Sequence, residues 1–232
     1  MKAIEYIYKQ NGIINVIQAK VSQNSKIGIG YVIQTYHFDI DQVEKNDIKL
    51  DAKNCLDCPF SFNQNNGKSG GCYTHKGLQL MGLKSMLSRL NKLSINDFST
   101  NDFNDFINKV KNTYPVDLVR FGAYGEPVLL GENVVSELKK LGKNHTGYTH
   151  QFSKKEFNWA ASYFMASAHN LEQSLKALEL GYRSFLVAES IKSDAVNCPA
   201  SKESGKKTTC VKCSLCNGSA GNSKKDVYIL QH

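Results

Sequence analysis

The chain has 232 residues and a mass of 25.9 kDa, with 41% hydrophobic and 22% charged residues, 17 Gly, 4 Pro, 7 Cys and a formal charge of +8. An apolar share of this size excludes a disordered chain, and the length suits one buried core, so a collagen-like repeat and a tiny disulfide scaffold are excluded as well. No apolar run nears the roughly 20 residues that span a bilayer, and Met1-Lys2-Ala3-Ile4-Glu5 has an acid where a secretory signal is apolar. The expectation is one domain over 1–232, cytoplasmic, with no membrane partner.

Strand-like stretches come first: Ile4 to Tyr8, Gly12 to Ile17, and Tyr31 to Phe38, where alternation puts Tyr31, Ile33, Thr35 and His37 on one face. Residues 51–75 are rich in Cys, Gly and Asn and have no period. Leu78, Leu80, Met81, Leu83, Met86, Leu87 and Leu90 then recur at helical spacing, and Phe103, Phe106, Ile107 and Val110 mark a second helix begun by Asn101 or Asp102. From Val116 onward strands alternate with helices. The strands are Val116 to Phe121, His145 to His150, Tyr163 to Ala168, Ser184 to Ala188 and Val227 to Gln231. Asn133 to Leu141 and Leu171 to Leu180 are the helices, ended by Gly142 and Gly181.

That rhythm predicts an α/β fold with a parallel sheet, as a small or incomplete β/α barrel. The core is 116–190, and the two cysteine-rich loop insertions, 51–75 and 191–226, are expected on one face. In such folds the carboxyl ends of the strands carry the site, so Gly122 to Pro127, Tyr148 to Gln151, Ala168 to Asn170 and Glu189 to Ser190 should surround both loops.

In a reducing compartment clustered thiols are more often metal ligands than disulfides, and an odd total cannot pair off completely. Cys198, Cys210, Cys213 and Cys216 are spaced C-x11-C-x2-C-x2-C. Two successive x2 gaps turn three thiolates toward one centre, the grammar of a 4Fe-4S run with a distal fourth ligand; a four-cysteine zinc site is the alternative. Cys55, Cys58 and Cys72, with His75, read C-x2-C-x13-C-x2-H. This set could close a zinc site with the histidine, or hold a cubane cluster whose fourth iron stays open. One larger cluster held by all seven thiolates is a third arrangement.

Lys202, Lys206, Lys207, Lys212, Lys224 and Lys225 decorate the second loop, either as a solvated surface or to meet an anionic cluster or a phosphate-bearing partner. The excess of 29 Lys+Arg over 21 Asp+Glu points only weakly to nucleic acid, because metal-bound thiolates would offset most of it.

Arg120-Phe121-Gly122-Ala123-Tyr124-Gly125-Glu126-Pro127 follows a predicted strand. Glu126 could receive an ammonium or act as a base, Arg120 could pair a carboxylate or phosphate, and the glycines permit close approach; a plain Gly-rich turn accounts for the segment as well. His150, in Gly147-Tyr148-Thr149-His150-Gln151, could be a ligand, a proton carrier or a core histidine. Gln231-His232 ends a strand at the same inferred face, and Trp159 with Phe157, Tyr163 and Phe164 reads as core. No Walker A loop, dinucleotide fingerprint, nucleophile elbow or H-E-x-x-H is present, and Gly28-Ile29-Gly30 lacks a third glycine.

The chain resembles a family of uncharacterised phage-encoded cysteine-rich proteins. The likeness rests on Cys58-Pro59, Gly71-Cys72-Tyr73, Arg120, Gly125-Glu126-Pro127, Gly147 to Gln151, Met165-Ala166-Ser167, Cys198 to Ser201, Cys210, Cys213, Leu215 and Cys216, across roughly residues 55–232. It implies a viral product in a bacterial host cytoplasm. More distantly the chain is similar to radical S-adenosylmethionine enzymes, whose Gly-Gly-Glu-Pro segment Gly125-Glu126-Pro127 matches in part and whose acid contacts the methionine ammonium. The x2 and x13 gaps depart from that family's C-x3-C-x2-C, which counts against S-adenosylmethionine. The expectation is an iron-sulfur protein with one or two clusters, of redox or radical type, served by an electron donor. Its Glu126, Arg120 and His150 would position a small substrate. A zinc-structured module for nucleic acid or a host protein is the rival.

Overall fold

A computed structural model describes residues 2–188, 194–219, 221 and 225–230; Glu189, Ser190, Lys224, Gln231 and His232 lie outside the described residues. Strand β1 (Ile4–Gln10) returns as β2 (Ile13–Ser22) through Asn11-Gly12, both at positive φ (51° and 75°). Two such residues let a hairpin turn follow the twist of its strands. β3 (Gly30–Asp39) pairs antiparallel with β2, whereas β4 (Leu118–Tyr124) and β5 (Asn144–Thr146) add in parallel, giving the order β1-β2-β3-β4-β5. The remaining strands are β6 (Tyr148–Thr149), β7 (Met165–Ala168), β8 (Ser184–Ala188), β9 (Val196–Asn197) and β10 (Val227–Leu230). They form a second, all-parallel sheet in the order β6-β7-β8-β10-β9.

The fold is therefore mixed α/β with two five-stranded sheets, and its first two pairings are antiparallel hairpin contacts that the alternating pattern did not announce. The single strand expected over 145–150 is two, split at Gly147. The Gly147 amide donates to the Cys216 carbonyl (3.2 Å) and its carbonyl accepts from the Met165 amide (3.0 Å), so one stretch of chain passes from the first sheet into the second.

Helices cover both faces of the first sheet. Helix α1 (Ile40–Lys45) starts from a capping box in which Asp39 accepts from Asp41 N and Gln42 accepts from Asp39 N; α2 (Ala52–Cys55) is a single turn. Helix α3 (Gly77–Leu90) buries Leu83, Leu87 and Leu90 against Ile14, Val16 and Phe38, while Leu78 and Met81 stay exposed. Helix α4 (Thr100–Thr113) begins earlier than expected, because Ser99 rather than Asn101 or Asp102 caps it, accepting from Asp102 N at 3.3 Å. Its Phe103, Phe106 and Val110, with Val135 and Leu138 of α5 (Glu132–Lys139), pack on Ile33, Val119 and Phe121. Each such apolar side chain contributes about 1.5–3 kcal/mol on burial. Trp159 and Phe157 pack half-buried on this core, as expected. Helix α6 (Leu171–Glu179) buries only Ser174 and Ala177 and leaves Leu171, Leu175 and Leu178 exposed; α7 (Cys210–Cys213) is one turn. Among the described residues no helix is long and apolar enough to cross a membrane.

A buried chain of hydrogen bonds ties the strands beneath the site. The Gly122 amide donates to Thr35 Oγ1 (2.9 Å), whose proton is then directed to His37 Nε2 (3.1 Å), and His37 Nδ1 donates to Asn15 Oδ1 (2.8 Å). Burial pushes His37 down to about 3, so it is neutral and its tautomer is fixed by this chain.

Candidate functional site

The first cysteine loop is held at the carboxyl ends of β3 and β4. Asn54 donates to the His37 carbonyl (2.8 Å) and its own carbonyl accepts from the Glu126 amide (2.8 Å). Gly125 makes this approach feasible: its φ is +77°, and a Cβ there would lie 2.8 Å from the His37 carbonyl and 3.0 Å from that of Asn54. Within the loop, buried Asp51 accepts from the amides of Phe62 and Asn63, both at 2.8 Å. Burial raises its carboxyl while these bonds oppose the rise.

Here the three thiols become neighbours. Cys55 is pushed well above the ordinary thiol range by burial and then by the charges of Asp51, Cys58 and Cys72. Burial also raises Cys72, opposed by the Thr74 hydroxyl at 3.0 Å from its sulfur. His75 stacks on Phe62 (4.0 Å between ring centres), is 5% exposed, and has no hydrogen-bond partner for either ring nitrogen among the described residues. Burial lowers its pKa, with Asp51 opposing.

Glu126 and His150 join this group from the ends of β4 and β6. Glu126 is 3% exposed; its carboxylate accepts from Thr149 Oγ1 (2.7 Å), the His150 amide (3.2 Å) and His150 Nδ1 (2.8 Å). The other ring nitrogen, Nε2, lies 3.8 Å from Cys58 Sγ. Burial alone would depress His150, but its bonds to Cys58 and Glu126 more than offset this and hold it at about 10. The His150 ring thus bridges the carboxyl group of Glu126 and the sulfur of Cys58. His169, at the end of β7, stacks on His150 at 5.2 Å and meets Phe60 edge-on at 4.6 Å. Asp51 and His169 are the polar residues that motif reading passed over: Asp51 carried no motif, while His169 sat at a predicted strand end without being singled out.

The second cysteine group assembles elsewhere. Cys198 and Cys216 pack with Met165 and Val227, the leading residues of β7 and β10, and with Tyr148, the first of β6. Cys210 and Val211 pack on Ile27, Val32 and Leu118, near the starts of β3 and β4, with the Cys210 amide donating to the Lys26 carbonyl at 3.1 Å. The discounted Gly28 has its use in this seam, where a Cβ would sit 2.6 Å from Thr209 Oγ1. The expectation that both loops gather at the carboxyl ends is corrected: the first does, and the second lies toward the amino ends. Arg183, 4% exposed, anchors the second loop by donating to the carbonyls of Lys225 (2.6 and 2.9 Å) and Gly218 (2.9 Å).

The four thiols of this group are electrostatic neighbours. Burial pushes Cys216 up to about 12, eased by the Tyr148 hydroxyl and increased by Cys198, Cys210 and Cys213. Burial raises Cys198 and Cys210 too, with Cys213 adding to both and Lys26 opposing. Lys202, Lys206, Lys207, Lys212 and Lys225 are exposed around them.

Arg120 is not beside Glu126 and His150 but nearer the other group. Its guanidinium donates to Tyr73 Oη (2.9 Å), one residue after Cys72, and counts Tyr36, Tyr148 and Cys210 among its charge neighbours. All seven cysteines are free thiols, and no group of three or more His, Cys, Asp or Glu among the described residues is already placed to hold a metal ion.

Comparisons with protein-family models, curated proteins and solved structures returned no match to this chain.

Proposed function

We propose that this chain is an iron-sulfur protein of redox or radical type, built on a partial β/α barrel, that acts on a small anionic or amino-acid-like substrate. One observation carries the reading: the seven free thiols sort into a group of three and a group of four, each coupled by charge within itself. The donor set suits the cofactor. Cys198, Cys210, Cys213 and Cys216 supply the four thiolates of a closed 4Fe-4S site, and Cys55, Cys58 and Cys72 leave one position for another ligand, for which the orphaned nitrogens of buried His75 are the nearest protein candidate in sequence. Burial raises the thiols of Cys55, Cys72, Cys198, Cys210 and Cys216, and a cationic metal centre is what displaces such protons.

A bound cluster supplies one-electron transfer. The chain's own contribution is positional: Glu126 orients His150 through Nδ1, and His150 turns its Nε2 toward Cys58 Sγ, where a hydrogen bond would tune a metal site that this sulfur helped to hold. The spacing of the first group argues against S-adenosylmethionine as co-substrate. Phage origin, work in a bacterial cytoplasm and an electron-donor partner belong to the same proposal, on the motifs quoted above.

The exposed lysines of the second loop favour one rival, a zinc-structured module for nucleic acid or a host protein. Anaerobic purification followed by iron, zinc and acid-labile sulfide analysis separates the two. Iron with sulfide supports the proposal. Stoichiometric zinc without sulfide, together with salt-sensitive retention of nucleic acid, establishes the rival.

A further inference from the structure

A cavity of about 490 Å³ opens between β2, β3, β4 and α3, within the size range of small-ligand sites. Arg120 and Lys20 both line it, together with Tyr36, Tyr73, Leu83 and Met86. Two cations sharing a cavity repel each other unless an anion joins them. Among the described residues neither makes an ion pair: Arg120 has the Tyr73 hydroxyl, and Glu5, the acid whose charge reaches Lys20, is engaged by both guanidinium nitrogens of Arg89 at 2.7 and 3.0 Å. The repulsion is felt at Lys20, whose pKa burial lowers first and Arg120 lowers further.

We propose that this cavity binds a small amphipathic anion, an organic carboxylate or phosphate whose acidic group lies between Arg120 and Lys20 and whose body lies along Leu83 and Met86. Arg120 offers a fork of donors matched to an oxyanion, Tyr73 adds a hydroxyl, and the leucine and methionine supply the apolar part that inorganic ions do not need. The site deepens the function proposed above, and the ligand's standing as substrate rests on that reading; its binding does not. With Tyr73 following Cys72 and Cys210 a charge neighbour of Arg120, a ligand here would lie between the two thiol groups.

Titration calorimetry of the purified chain with phenyl phosphate, benzoate and benzyl alcohol tests this, with iron content measured on the same samples. At least one of the two anions should bind saturably at one site, and the neutral alcohol about tenfold more weakly or not at all. Preference between phenyl phosphate and benzoate distinguishes phosphate from carboxylate. Arg120→Gln should weaken the anion about tenfold or more, and Lys20→Gln, at a half-buried position where glutamine keeps most of the side chain's length, should weaken it several-fold. Absence of binding by both anions, or equal binding by wild type and Lys20→Gln, overturns the site. Neither outcome bears on iron content, so the two proposals fail separately.

Discussion

The carboxylate of Glu126 meets the imidazole of His150 at 2.8 Å, and the opposite ring nitrogen faces Cys58 Sγ at 3.8 Å. A buried carboxylate that also satisfies a hydroxyl and a backbone amide is held rigidly, so the ring it orients is held rigidly too.

Replacing Glu126 by Gln preserves shape and removes the charge. The His150 titration midpoint, followed by NMR of the ring, should fall from about 10 by about one pH unit or more. An unchanged midpoint would mean that Glu126 is only a turn residue.

Acid should destabilise the fold before its carboxylates titrate. Burial lowers His37 to about 3 and His145 to about 4, so from pH 6.5 downward the unfolded chain binds protons that the native chain refuses. Stability is then lost as pH falls, by ~1.4 kcal/mol per group for each pH unit in that window. Denaturant midpoints at pH 6.5 and 5 measure it; equal midpoints would contradict the neutral, buried state of both rings.

Gly125→Ala should cost about 2–4 kcal/mol, because φ is +77° and the new methyl would press on the carbonyls of His37 and Asn54. Chemical denaturation reads the cost. A loss near zero would show that the Asn54 seam yields.

Much of this fold was legible in the sequence, and what was missed has physical causes. The β/α alternation after Val116 appeared where expected because single amphipathic elements bury one face each. The Asp39–Gln42 capping box and the Asn11-Gly12 turn are local signals that went unread: Gly12 was taken into a strand, and the antiparallel return it allows was not anticipated. The end of the sheet at which Cys198 to Cys216 settles was not, because it depends on tertiary seams such as Gly28 against Thr209 and Arg183 against the Gly218 and Lys225 carbonyls. For the same reason Arg120, in one short sequence segment with Glu126, parts from it: Arg120 lies within β4 and Glu126 two residues past its end, and the two side chains meet different neighbours.

Cys213→Ser should remove the iron of the second group and lower the melting temperature by about 5–10 °C, since metal-site formation is coupled to folding. Iron held by Cys55, Cys58 and Cys72 should stay. Loss of all iron from this one change would favour a single larger cluster instead of two.

The most direct measurement is Mössbauer spectroscopy of anaerobically purified chain carrying isotopically enriched iron. Signals of sulfide-bridged 4Fe-4S iron, diminished in step by Cys213→Ser and by Cys58→Ser, are the predicted result. A preparation that holds zinc in place of iron, or whose thiols are all free after iron and sulfide are supplied, contradicts the account.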